Sequence, residues 1–328
     1  MPKAILIDQP GGPDAMQWRD VAMPEPGEGE LLIRQTAVGL NFIDVYHRSG
    51  LYPLKEYPSS LGMEAAGIVE KVGPNTQFGF KEGDLVAYGG GPVGAYTQYR
   101  ALHERHVVLV PKGMSDQLAA GVMVKGLTAY YLIRRTFRVD NQTTMLVHAA
   151  AGGVGLLLCQ WGKYLGARVI GTVSSEEKAE IARANGCEYP INYKTENFVE
   201  RVQEITDGRG CNVVYDSVGK DTFMDSLDCL MPIGLMVSFG QASGPVGAID
   251  PGELQRRGSL YLTRPSFQDY MQDHSEYVLA ANELLQHVLD GVLKINVKQT
   301  YFLSDAASAH RDLESRKTTG ATVMVVDE

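Results

Sequence analysis

Short apolar runs broken by Gly and Pro dominate the first 120 residues of the chain. GELLIRQTAVGL, AAGIVEKVG, GDLVAYGG and HVVLVP cluster β-branched and aliphatic residues between turn signals, which predicts short strands. Many short strands at such spacing predict a mostly-β barrel or sandwich domain. From Asn141 the rhythm becomes strand, helix, strand. TMLVHAA, shortly after Asn141, predicts a buried strand. The following segment, GVGLLLCQWGKYLG (153–166), predicts a helix with Val154, Leu157, Leu158 and Trp161 on one apolar face and Gly166 as its C-terminal cap. Next come strand ARVIGTV, a helix over 176–185, strand YPINY, a helix over 195–206, strand CNVVYDSV, a helix over 220–231, and strands GLMVSFG and SLYLTR. Such alternation predicts an α/β, doubly wound parallel sheet. Beyond Ser266 a helix over 276–290 precedes the strand-like KQTYFL and TVMVV, which are expected to return to the first domain.

The turn between the first predicted strand and helix of the second half carries the clearest chemistry. Ala150-Ala151-Gly152-Gly153-Val154-Gly155 follows a strand and opens a helix, the context a dinucleotide fingerprint requires. Glycines let the backbone approach a pyrophosphate, and the helix N-terminus offers free N–H groups. Ala150 stands where the first fingerprint glycine belongs. At the end of the next strand an NAD site carries Asp or Glu for the ribose 2′-OH. Here that place reads Gly171-Thr172-Val173-Ser174-Ser175, with Lys178 close by and Glu176 and Glu177 in the next helix's first turn. Small hydroxyls and a cation suit a 2′-phosphate, so NADPH is the expected cofactor, with Thr172, Ser174 and Lys178 beside its ribose.

Composition narrows the class. A chain of 328 residues with 44% hydrophobic and 21% charged residues is ordinary for a globular protein of about two domains. No apolar run reaches the ~20 residues of a membrane span. The N-terminus MPKAILIDQPGG shows no basic-then-apolar signal pattern, so a cytoplasmic protein is expected. The net charge of −9 argues against nucleic acid or acidic membranes as partners. Cys159, Cys187, Cys211 and Cys229 form no C-x-x-C pair and read as buried free thiols. His47, His103 and His106 read as structural or surface residues, and no metal site is expected.

NFIDVYHRSGLYP (41–53), LGMEAAGIVEKVG (61–73), KGLTAYYLIR (125–134), HAAAGGVGLLLCQWGKYLGARVIGTV (148–173), VVYDSVG (213–219) and GLMVSFG (234–240) together resemble the medium-chain dehydrogenase/reductase superfamily. Within it the chain is most similar to the zinc-free quinone oxidoreductase, zeta-crystallin-like branch. The resemblance implies a GroES-like catalytic domain over 1–124 and 267–328, a Rossmann domain over 125–266, and an active site in the cleft. It implies a 2′-phosphate held by Ser174, Lys178, Tyr193 and Arg316, further cofactor contacts from Asn41, Tyr130, Ser217, Phe239 and Gly240, and a substrate pocket including Asn41, Tyr46 and Tyr52. It also implies a homodimer paired through SLYLTR.

Zinc-dependent members carry Cys in G-x-C-x-x-D and His in G-H-E-x-x-G. Asn41 and Met63 stand at those positions here, and the structural-zinc cysteine quartet is missing. A catalytic zinc needs three protein ligands, so a metal-free reduction of quinones is expected, with Asn41, Tyr46 and Tyr52 hydrogen-bonding the quinone oxygen. An enone or alkenal reductase on the same scaffold and a non-catalytic NADPH-binding protein are the alternatives.

Overall fold

The computed structural model describes residues 1–327. The chain divides into two compact units. One comprises Met1–Leu127, Met271–Gly291 and the chain from Ile295 onward, and the other Thr128–Tyr270 with Val292–Lys294. The breaks lie a few residues after the expected 124/125 and 266/267.

The first unit opens with β1 (Lys3–Ile7), β2 (Gln17–Asp20), β3 (Glu30–Gly39), α1 (Phe42–Ser49), β4 (Ser59–Ser60), β5 (Glu64–Val72), β6 (Leu85–Gly89), β7 (Tyr99–His103) and β8 (Val108–Leu109). β3 is its spine, pairing antiparallel with both β5 and β7. Ile5, Ile7, Leu31, Ile33, Val38 and Leu61 form the centre of its apolar core. HVVLVP yields only the two-residue β8, because residues 104–106 turn as a 3₁₀ helix whose N-cap His103 accepts from the Arg105 amide. Two helices here carry no expectation from sequence. α1 is short and opens straight from a strand end. α2 (Asp116–Tyr131), which begins in this unit, is buried on nearly every side over Ala119–Leu127, so no 3.6-residue period marks a face.

The second unit contains β9 (Thr144–Val147), α3 (Gly153–Tyr164), β10 (Arg168–Val173), α4 (Glu176–Ala184), β11 (Tyr189–Asn192), α5 (Phe198–Ile205), β12 (Cys211–Asp216), α6 (Phe223–Asp228), β13 (Leu230–Ser238), α7 (Pro251–Arg256) and β14 (Tyr261–Thr263). Its six strands are ordered β11-β10-β9-β12-β13-β14 and all pair in parallel. This is the Rossmann order, with its reversal between β9 and β12. α3 is buried all round from Gly155 to Gly162, not on one face as the spacing suggested. α5 starts at Phe198 because the Asn197 side chain accepts from Val199 and Glu200 amides. α6 is shorter than expected at its start, since the Asp216 carboxylate accepts from the amides of Val218 and Gly219 and the Thr222 hydroxyl, holding those residues in a turn.

α8 (Phe267–Met271) leads out of the second unit. α9 (His274–Leu289), β15 (Val297–Phe302), α10 (Ala306–Glu314) and β16 (Ala321–Val325) complete the first. β16 pairs antiparallel with β3, so the C-terminal strands extend the sheet that the N-terminal residues begin.

Candidate functional site

In the second unit the turn after β9 is shaped by close backbone approach. Ala149 takes a left-handed φ of +53°, and its carbonyl accepts from the Gly152 amide at 2.8 Å. A Cβ on Gly155 would lie 2.3 Å from that same carbonyl oxygen, and one on Gly152 would lie 3.1 Å from it. Glycine at 155 is therefore compulsory for α3 to start where it does. Ala150, which breaks the fingerprint, is accommodated from the neighbouring strand. A Cβ on Gly171 would come within 2.5 Å of the Ala150 Cβ, so the missing side chain has moved one strand over. Gly152, Gly153 and Val154 are half-buried at the helix start, and no side chain caps it. Those helix-start N–H groups are suited to an anion, and a cradle that a Cβ would fill suits a pyrophosphate.

The other strand tips add side chains. Ser175 caps α4 by accepting the Lys178 amide at 3.3 Å, which places half-buried Ser174 and Lys178 at one end of β10. Exposed Tyr193 joins them, its amide donating to the Val173 carbonyl at 3.1 Å. Thr172 departs from expectation. Its hydroxyl is turned into the interior, 2.9 Å from His148 Nδ1, so it shapes the strand tip rather than facing a ligand. Burial holds that His148 below the usual histidine range, hence neutral. Across the switch point, the Asp216 carbonyl accepts from the amides of Phe239 and Gly240. A Cβ on Gly240 would sit 2.6 Å from the Ser217 carbonyl oxygen, so Ser217, Phe239 and Gly240 are brought together at adjacent strand ends. Tyr130 is buried, its ring 6.1 Å from that of Trp161.

In the first unit Asn41 precedes α1 and is buried. Its backbone N–H donates to Asp44 Oδ2 at 2.9 Å, and its side-chain Nδ2 donates to Glu64 Oε1 at 2.7 Å. The same Glu64 oxygen receives Lys125 Nζ at 2.9 Å. Tyr46 and Tyr52 lie half-buried with ring centroids 5.1 Å apart, edge to face, and His47 packs beside Tyr52. A second buried line runs from Asp44 Oδ2 to Tyr96 Oη, on to His310 Nε2 at 3.0 Å, and from His310 Nδ1 to Arg48 Nη1 at 3.0 Å. Arg48 then grips Glu314 through both terminal nitrogens at 2.9 Å. Burial raises the Asp44 carboxyl to about 7. Burial, helped by Arg48, pushes His310 down to about 3. Arg316 sits exposed just beyond α10 with a left-handed φ of +61°.

The structure thus gathers Gly152–Gly155, the Ser174/Lys178/Tyr193 group and the Ser217/Phe239/Gly240 group in the second unit, and Asn41, Tyr46 and Tyr52 in the first. Sequence reasoning missed Glu64, Lys125, Asp44, Arg48, Tyr96 and His310. A signal existed for two of them: Glu64 and Lys125 are lone charges inside apolar runs, and both are buried. Among the described residues no group of three or more His, Cys, Asp or Glu converges as a metal site. All four cysteines are free and buried.

Comparison with known proteins adds family and relatives. The alcohol dehydrogenase GroES-like domain family matches residues 27–112, and the zinc-binding dehydrogenase family matches residues 153–276. A quinone oxidoreductase of Pseudomonas aeruginosa is 50% identical over 325 residues, covering 99% of this chain and 100% of that protein. The crystal structure of Pseudomonas syringae quinone oxidoreductase superposes with a TM-score of 0.97 at 47% identity, over 99% of this chain and 100% of the other. That of Escherichia coli quinone oxidoreductase complexed with NADPH gives 0.96 at 46%, over 98% and 99%.

Proposed function

The chain belongs to the zinc-free quinone oxidoreductase branch of the medium-chain dehydrogenase/reductase superfamily and is an NADPH-dependent oxidoreductase, and from that premise we propose that it passes hydride to quinones without a metal. The observation that carries the metal-free reading is the Asn41 amide. It spends an N–H on Glu64, and its neighbour on the ligand motif is the buried thioether of Met63. An amide and a thioether are poor partners for a zinc that wants thiolate and imidazole.

Bound NADPH supplies the hydride. The amides at Gly153, Val154 and Gly155 would hold its pyrophosphate, with Gly152 leaving room for its approach, and Ser174, Lys178, Tyr193 and Arg316 would hold the 2′-phosphate. Tyr130, Ser217, Phe239, Gly240 and Asn41 orient the nicotinamide end. Asn41, Tyr46 and Tyr52 steady the quinone oxygen by hydrogen bonds as charge arrives on it. The protein works in the cytoplasm. No helix among the described residues is long and apolar enough to cross a membrane. It pairs as a homodimer through β14, a sheet edge whose Tyr261 and Leu262 are exposed. Light scattering at micromolar concentration checks that assembly, and a monomer would contradict it.

The deciding experiment is steady-state NADPH oxidation with a small quinone and with an activated alkene, each before and after chelation. The expected result is a higher kcat/KM for the quinone and no loss on chelation. Activity lost to the chelator and restored by zinc, or a preference for the alkene, overturns the reading.

A further inference from the structure

Beside Asn41 sits a buried cation, Lys125. Glu64 is fully buried, and its Oε1 receives both Asn41 Nδ2 at 2.7 Å and Lys125 Nζ at 2.9 Å, while Oε2 receives the Val124 amide. One carboxylate oxygen therefore holds an amide and an ammonium side by side. Room for that carboxylate is made by Gly39, where a Cβ would lie 2.1 Å from Glu64 Oε1 and 2.3 Å from the Ala120 carbonyl oxygen. The Lys125 side chain is 9% exposed. An ammonium carries three N–H donors. Glu64 accepts one of them, and the remaining donors find no acceptor among the described residues.

A pair built for stability would spend its donors, because a buried ion pair offsets its desolvation only when the remaining hydrogens are also satisfied. Lys125 leaves donors unspent next to the amide expected at the acceptor oxygen. Asn41 also stands where zinc-dependent relatives place a metal ligand, so the ammonium brings positive charge to the neighbourhood where those relatives keep a Lewis acid.

We propose that the Lys125 ammonium, held by Glu64 beside the Asn41 amide, binds the carbonyl oxygen of the acceptor and gives it the proton that completes reduction. The proposal rests on the quinone reductase reading above. In the step, the quinone gains hydride from the reduced nicotinamide, which is oxidised, and an electron pair moves onto the quinone oxygen. A Lys125 N–H bond then breaks as the O–H bond forms. The neutral amine recovers its proton from solvent, so one NADPH, one quinone and one proton give NADP⁺ and quinol. Asn41 stays hydrogen-bonded throughout and keeps the oxygen in line with Nζ.

Lys125→Met and the paired Glu64→Gln/Lys125→Met test this, the second removing both charges so that no unpaired carboxylate is left buried if the first fails to fold. Both should bind NADPH, by fluorescence titration, as the wild type does, and both should lose about 100-fold in quinone kcat/KM, mostly in kcat. In Lys125→Ala, ethylammonium should restore turnover in proportion to its concentration. A second readout needs no turnover: p-nitrophenol bound to the NADP⁺ complex should ionise more readily than in water, and less readily in either Lys125→Met protein. If the wild type reduces an activated alkene and not quinones, the quinone reading fails, and the same variants assayed on the alkene still decide the role of Lys125. A folded double variant with wild-type turnover on the working acceptor and unchanged p-nitrophenol ionisation overturns the proposal.

Discussion

The dinucleotide turn of the second unit and the α1 region of the first are built in opposite ways. The turn is almost all backbone: Gly155 and Gly171 are shaped by what they lack, and the Thr172 hydroxyl at the next strand tip faces inward. The α1 region is almost all buried side chain. Asn41, Asp44 and Arg48 on one short segment reach Glu64, Tyr96, His310 and Glu314, and Lys125 joins through Glu64. A backbone site tolerates no added atom but needs no proton in a given place. A buried polar site is sensitive to protonation and to every lost partner.

That contrast can be broken most sharply at Arg48, whose guanidinium is 2% exposed and bidentate to Glu314. Arg48→Met should destabilise the protein by about 3–4 kcal/mol, the lower part of the range for a broken buried pair because Glu314 can turn to water. Calorimetry of the variant measures this, and a Tm within a degree or so of wild type would show that the line is ornamental.

Asp44 offers a pH test of the same region. Its folded carboxyl is raised to about 7 from an ordinary 3.8, so the folded state holds a proton that the unfolded chain has released. This contribution is fully present below the ordinary pKa and is lost as pH rises through 7. Asp44→Asn should therefore gain on the wild type by about 2–3 kcal/mol between pH 4 and pH 7. His310, pushed down to about 3, works the other way and is common to both proteins, so comparison at each pH removes it. Denaturant melts across that interval give the difference directly, and a constant gap would mean Asp44 is ionised throughout.

In the turn, Gly155→Ala tests steric exclusion alone. Its Cβ would meet the Ala149 carbonyl at 2.3 Å and Ala150 Cα at 2.9 Å, both backbone. NADPH affinity should fall by about 2 kcal/mol, or roughly 30-fold, with little pH dependence. Fluorescence titration reads it, and unchanged affinity would mean the helix start can shift freely. The smallest effect belongs to Lys178 at the β10 tip. Lys178→Ala should weaken NADPH about tenfold and leave NADH nearly unchanged, since a charge-assisted hydrogen bond contributes about 1.5–3 kcal/mol and this side chain is only half-buried. Equal weakening of both cofactors would remove Lys178 from 2′-phosphate recognition.

The two regions also differed in how far they could be read beforehand. Gly152–Gly155 after a strand and the acid-free Thr172–Ser175 tip are contiguous in sequence, and their meaning survives because strand, turn and helix are local. Even there, the pairing of Ala150 with Gly171 needed the neighbouring strand. Asn41, Tyr46 and Tyr52 were named through resemblance, not spacing. Nothing local links Asp44 to Tyr96 or Arg48 to His310, which lie 52 and 262 residues apart. α2 escaped notice for a related reason, since a helix buried all round has no polar face to mark its period.

By itself, the amino-acid sequence determined the alternating strands and helices of the second unit, the glycine turn, the absence of an acid at the β10 tip and the loss of the zinc-ligand residue types. These follow from short-range steric rules and from which atoms each side chain carries. Only the tertiary structure decided that Asn41 donates to Glu64, that Lys125 shares the same oxygen, and that a protonatable Asp44 is sealed beside Tyr96. Such contacts depend on where β3, β5, α2 and α10 meet once the sheet has formed. Burial then gives each charge a strength and a proton affinity that no spacing along the chain encodes.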